Sequence, residues 1–121
     1  MRTEIVPSEE EEQIAFVQWL EALILAGRQI KFTAIPNSTF TTSWSQKHKN
    51  DKTGLRAGLP DMFLIVNNHP FFIELKRKKN SKTSDEQKEW IAAINDTEVL
   101  KAHLCRGFDE ARAVVEKYLR L

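Results

Sequence analysis

Phe71–Phe72–Ile73–Glu74–Leu75–Lys76 is the stretch on which the fold turns. Side chains of a β-strand alternate, so Phe72, Glu74 and Lys76 share one face while Phe71, Ile73 and Leu75 share the other. Charges at the end of so apolar a run are costly unless paired or bound to a metal. Upstream, Asp61–Val66 reads as a second strand, apolar on both faces, and Asn67–Asn68–His69–Pro70 reads as the turn between them. The two are expected to form a hairpin at the centre of a sheet, buried on both sides. The start of one hairpin strand lies beside the end of the other, which brings Asp61 close to Glu74 and Lys76.

Carboxylates held together repel each other, by several kcal/mol at a low effective dielectric. A hard divalent cation relieves that repulsion, and oxygen ligands completed by water suit Mg²⁺ or Mn²⁺. A lysine two residues beyond one ligand can hold or help deprotonate an attacking water and can face a phosphate oxygen. Asp61, Glu74 and Lys76 are thus the minimum set for metal-assisted phosphodiester hydrolysis. Taken singly, Glu74-x-Lys76 also reads as a solvated charge pair and Pro60–Asp61 as a turn. Their joint occurrence on two apolar strands favours chemistry.

Outward from the hairpin, the chain reads in the order αβββαβα. The first helix is expected over Glu9–Ala26, with Ser8 as N-cap, Glu11 at capping-box spacing and Gly27 as the stop. Phe16, Leu20, Leu23 and Ile24 form its core stripe, on which Glu9 and Gln13 also fall; Glu12 is a weaker alternative to Glu9. A strand at Ile30–Ile35 follows. Residues 38–57 are polar and basic, and read as a long functional or mobile connection that can carry a short helix. Beyond the hairpin, Thr83–Ser84 caps a helix over Asp85–Asn95 whose stripe is Trp90, Ile91 and Ile94. Gln87 lies on that stripe, although Ser84-x-x-Gln87 is also a capping box. Glu98–Cys105 reads as the last strand and Asp109–Leu121 as the last helix. The fold class is α/β, a mixed sheet flanked by helices.

The 121 residues suffice for one domain, 1–121. The longest purely apolar run, Met62–Val66, is far below a membrane span. One cysteine, Cys105, excludes an internal disulfide, and His48, His69 and His103 are too scattered for a zinc motif. The acidic start carries no secretory signal, so a cytoplasmic protein without a membrane partner is expected. Net charge is only +1, but its distribution is uneven. Six glutamates oppose one arginine before residue 27, whereas Arg28, Lys31, Lys47, Lys49, Lys52 and Arg56 oppose only Asp51 up to residue 60. Arg77, Lys78, Lys79 and Lys82 make a second basic cluster. Lys47, Lys49, Lys52, Arg56, Arg77, Lys78 and Lys79 are therefore candidate phosphate contacts. Trp44 and Phe40 either stack on unpaired bases or pack in the core.

Together these residues resemble the VRR-Nuc branch of the PD-(D/E)xK nuclease superfamily, in its small stand-alone phage form. The resemblance rests on Ser8–Glu9 with Glu12–Gln13 and Trp19, Ile35–Pro36–Asn37, Gly54-x-Arg56–Ala57–Gly58-x-Pro60–Asp61, Ile73–Glu74–Leu75–Lys76, Ser84-x-x-Gln87-x-x-Trp90 and Cys105–Ala111. It covers nearly the whole chain. It implies a restriction-endonuclease-like αβββαβ core plus a C-terminal helix, with metal bound by Asp61 and Glu74 and water served by Lys76. Glu9 would complete the acidic site, directly or through water, and Gln87 would orient the lysine or the water. It further implies a homodimeric, Mg²⁺- or Mn²⁺-dependent DNA endonuclease, selective for branched DNA such as four-way junctions, and a phage-encoded origin with action in a host cell. Ser38–Thr39 depart from the glycines such members often carry after Ile-Pro-Asn. The competing readings are a non-catalytic nucleic-acid-binding module on the same fold, an exonuclease, or an interaction domain with a salt-bridge cluster at Asp61, Glu74 and Lys76.

Overall fold

The hairpin forms as the alternation requires. In the computed structural model, which describes residues 5–36 and 44–121, β2 (Met62–Val66) pairs antiparallel with β3 (His69–Lys76). The turn is tighter than the sequence suggested. Asn67 and Asn68 alone form it, at φ 49° and 67°. Two consecutive positive φ angles match the twist of a two-residue hairpin turn, and asparagine tolerates them. His69 and Pro70 therefore belong to β3, where Pro70 lies opposite Ile65.

β1 (Ile30–Ala34) adds antiparallel to β2, and β4 (Lys101–Arg106) adds parallel to β3, giving the sheet order β1-β2-β3-β4. The parallel pair is joined through α3 (Asp85–Asp96). α1 (Glu9–Leu25) precedes the sheet, and α4 (Phe108–Leu119) ends the chain. This is the expected mixed sheet flanked by helices, with a C-terminal helix. β4 starts three residues later than expected. Glu98 adopts φ 58°, and the Thr97 hydroxyl accepts the N–H groups of Val99 and Leu100, which holds that segment as a turn.

Paired residues across an antiparallel ladder share a face. Phe71, Ile73, Met62, Leu64 and Val66 form the core face, fully buried beneath Phe16 and Leu20 of α1 and Ala111 and Val115 of α4. The expectation that the central strands are buried on both sides is corrected here. On the opposite face Phe63 and Phe72 are half-buried, and Ile65 is 37% exposed. The end of that face holding Glu74 and Lys76 is closed by the start of α3 and the segment before Asp61, and Ala102, opposite Phe72, is buried beside α3.

The capping box of α1 forms, Glu11 N–H donating to Ser8 Oγ and Ser8 N–H to Glu11 Oε1, both at 3.1 Å. Its buried arc is rotated from the expected one. Phe16, Trp19 and Phe108 cluster edge to face and stacked, which turns Glu12 inward and leaves Glu9 and Ile24 exposed. The basic connection contains α2 (Trp44–Lys52), which packs against no other described helix or strand. Trp44 is 76% exposed and stacks on His48, so core packing is excluded for it; Asn37, Ser38, Thr39 and Phe40 lie outside the described residues. No described helix is long and apolar enough to cross a membrane.

Candidate active site

The β2–β3 register, Met62 opposite Ile73, places Asp61 opposite Glu74 when continued by one residue. Asp61 stays in the sheet because its carbonyl accepts the N–H of Ile35 at 2.7 Å. The two acids are then locked crosswise. Glu74 Oε1 accepts the main-chain N–H of Asp61 at 3.1 Å, and Asp61 Oδ2 accepts the N–H of Leu75 at 2.8 Å.

Lys76 shares a face with Glu74, as alternation demands, and its Nζ lies 3.4 Å from Glu74 Oε2. Glu74 is fully buried and Lys76 only 5% exposed. Gln87, on the first turn of α3, joins both. Its Nε2 donates to Glu74 Oε2 at 2.7 Å, and its Oε1 accepts from Lys76 Nζ at 2.9 Å. The same Oε1 accepts the N–H of Ser84 at 3.0 Å, and Ser84 Oγ accepts the N–H of Gln87 at 3.2 Å. Gln87 thus both completes the capping box of α3 with Ser84 and bonds Glu74 and Lys76.

The segment leading into Asp61 is fastened to α3. Trp90 Nε1 donates to the carbonyl of Ala57 at 3.1 Å. Gly58 adopts φ +102°, and a Cβ there would stand 2.6 Å from the main-chain carbon of Glu86. Glycine is required on both counts, steric room and left-handed backbone. This close approach holds the segment before Asp61 against the start of α3, which carries Gln87.

Burial, and then the charge of Asp61, push the Glu74 carboxyl up to about 7, against the opposing pull of Lys76. One ammonium does not offset two carboxylates and the loss of solvent. A divalent cation would, and the donor set of carboxylate oxygens fits a hard ion with water in the remaining positions. No group of three or more acidic, histidine or cysteine side chains gathers around a common point among the described residues. Asp61 and Glu74 are the two carboxylates of the cluster that would hold such an ion.

Glu9 stands exposed on the first turn of α1, and the hydrogen bonds joining Asp61, Glu74, Lys76 and Gln87 do not extend to it. Its neighbour Glu12 is 5% exposed and serves elsewhere: its carboxylate accepts the N–H of Phe108 at the start of α4. Gly107, the N-cap of α4, provides no side-chain cap, so Glu12 supplies one from another helix. Lys47, Lys49 and Lys52 are exposed on α2, and Arg56 pairs with Asp51 at 3.6 Å in the segment before Asp61. Arg77 is half-buried and donates to the carbonyl of Val6, Lys78 pairs with Asp109 at 3.6 Å, and Lys79 is exposed. Sequence reading did not single out Arg106, which stands beside Lys76 on β4. Only the parallel pairing of β3 with β4, which local pattern does not disclose, reveals that position.

The arrangement pairs a buried glutamate with a half-buried aspartate and an attached lysine at the end of a mixed sheet. The family model for the VRR-NUC domain matches residues 4–109. The chain belongs to the VRR-NUC family. The family is one of nucleases, and the VRR-NUC fold is of nuclease type. A solved VRR_NUC domain protein, 22% identical, superposes with a TM-score of 0.70 over 96% of this chain and 91% of its own. A solved VRR_NUC domain, 19% identical, superposes with a TM-score of 0.58 over 91% of this chain and 96% of its own. Likeness at these identities concerns the fold. No curated protein matches the chain.

Proposed function

We propose that this VRR-NUC chain is a Mg²⁺- or Mn²⁺-dependent DNA endonuclease selective for branched substrates such as four-way junctions. The observation that carries the reading is the hydrogen-bonded interlock of Asp61, Glu74, Lys76 and Gln87 at the sheet end, in which Glu74 and Lys76 are buried. Asp61 and Glu74 hold the ion. The bound metal supplies Lewis acidity toward a phosphoryl oxygen and neutralises charge that develops there.

The chain's own groups do the positioning. An ammonium has three donors. Glu74 and Gln87 engage Lys76 Nζ on two sides, which leaves a donor for the attacking water or a phosphoryl oxygen. Gln87 positions Lys76 and keeps it from folding wholly onto Glu74. Glu9 acts through water rather than as an inner ligand. Lys47, Lys49, Lys52, Arg56, Arg77, Lys78 and Lys79 contribute contacts to DNA phosphates, which makes binding steeply salt-dependent. One centre cuts one strand, so paired cuts at a junction are made by a homodimer.

The test is incubation of labelled four-way junction, flap, linear duplex, single strand and closed circular DNA with Mg²⁺, Mn²⁺ or EDTA. The expected result is metal-dependent cutting, strongest on the junction and present on the circle, that disappears in Asp61→Asn and Lys76→Ala. Cutting that survives EDTA or Asp61→Asn contradicts the reading. Binding without cutting identifies a non-catalytic module, and failure on the circle alone identifies an exonuclease.

A further inference from the structure

We propose that Arg106 binds a backbone phosphate of the DNA strand beside the phosphate held at the acidic cluster; the inference rests on the nuclease reading of that cluster. The parallel register sets Arg106 opposite Lys76, and Leu104 opposite Glu74. Cys105 lies in the core, so alternation directs Arg106 to the face that carries Lys76 and Glu74. It therefore flanks the proposed centre at the carboxyl ends of two parallel strands, where open α/β sheets receive their ligands.

The environment of the guanidinium is that of a site awaiting an anion. Arg106 is half-buried, and one terminal nitrogen donates to Ser81 Oγ at 2.7 Å. Ser81 in turn donates to the carbonyl of Arg77 at 3.2 Å, which ties the guanidinium to the loop after β3. The nearby carboxylate of Glu110 accepts the main-chain N–H of Arg106 at 2.8 Å and forms no ion pair with the side chain. By contrast Arg112 and Arg56 both have carboxylate partners, at 2.7 and 3.6 Å. Among the described residues this half-buried guanidinium has no carboxylate partner, and its remaining donors match the geometry of a phosphate. A hydroxyl tether fixes the fork without neutralising it.

The test is equilibrium binding of a labelled four-way junction and a linear duplex, in EDTA and over a range of salt. Wild type, Arg106→Ala, Arg106→Lys and Ser81→Ala are compared, with Tm recorded for each. Arg106→Ala is expected to weaken binding about tenfold and to make the slope of log K against log salt shallower by about one. Arg106→Lys should keep the slope and recover part of the affinity, and Ser81→Ala should cost less than Arg106→Ala. Unchanged affinity and slope in Arg106→Ala, with or without a fall in Tm, overturns the proposal, as does wild type that binds neither DNA. Because no cutting is read, a chain that binds DNA but never cleaves it refutes the nuclease reading alone.

Discussion

Glu74 accepts the main-chain N–H of Asp61, so the second acid of the cluster is oriented by the backbone of the first. Asp61 answers by accepting the N–H of Leu75, the residue after Glu74. Neither carboxylate depends on a metal for its direction. A centre preorganised in this way loses little on binding an ion, and its acids are already close enough to disturb each other's protonation.

That disturbance has a sign that can be measured. The Glu74 carboxyl is raised from 4.5 to about 7 by burial and by Asp61. Between those values the folded chain holds a proton that the unfolded chain has released, so stability without metal falls as pH rises through this window. The loss is roughly 3 kcal/mol at most and levels off above the folded value. Metal competes for the same carboxylate, so Mn²⁺ affinity rises with pH through the window and binding releases a proton. Denaturation between pH 4.5 and 8, with calorimetry in buffers of different ionisation enthalpy, checks both. Glu74→Gln should flatten the stability profile.

Gln87 can be separated into its two roles. Glutamate keeps the capping box with Ser84 but cannot donate to Glu74, and adds a charge beside it. Gln87→Glu should therefore retain helix stability and still lower the cutting rate by about tenfold or more. Gln87→Ala should lose about 1 kcal/mol through the cap as well. Chemical denaturation alongside single-turnover cleavage distinguishes the two variants.

Glu12 is expected to matter for folding and not for chemistry. Glu12→Ala removes the acceptor for Phe108 N–H and leaves the first turn of α4 unfilled. The expected cost is on the order of 2 kcal/mol, read from urea unfolding, with the cutting rate per folded molecule unchanged. Glu9→Gln should show the reverse pattern, with unchanged stability and a loss in rate of only a few-fold.

These two glutamates also show how far local pattern reaches. Strand alternation and hairpin geometry placed Asp61, Glu74 and Lys76 together, because a period of two admits little error. The helical wheel for α1 was correct in period but not in rotation. Its buried arc is set by Trp19 against Phe108, a contact with an element almost ninety residues on. Gln87 is legible as part of a capping box, which forms, and as a neighbour of the acidic cluster, where it hydrogen-bonds Glu74 and Lys76. The helix at Trp44–Lys52 lacks an apolar stripe and a packed partner, so periodicity had nothing to register. Arg106 needed the β3–β4 pairing, which is fixed by a helix crossover and not by neighbouring residues.

Gly58 provides a test of how the segment before Asp61 is joined to α3. Gly58→Ala would set a Cβ 2.6 Å from the main chain of Glu86, at φ +102°. The expected outcome is a loss of about 2 kcal/mol or more in stability, with weaker Mn²⁺ binding as Asp61 is displaced from Gln87. Calorimetry and metal titration of the same preparation would register both.

The most direct measurement is titration of the apo chain with Mn²⁺, followed by the paramagnetic signal of the free ion at neutral pH. Wild type should show a saturable site, and Asp61→Asn and Glu74→Gln should each abolish it while remaining folded. Mn²⁺ binding that is absent from wild type, or that persists undiminished in both variants, contradicts the assignment of these two carboxylates as the metal centre.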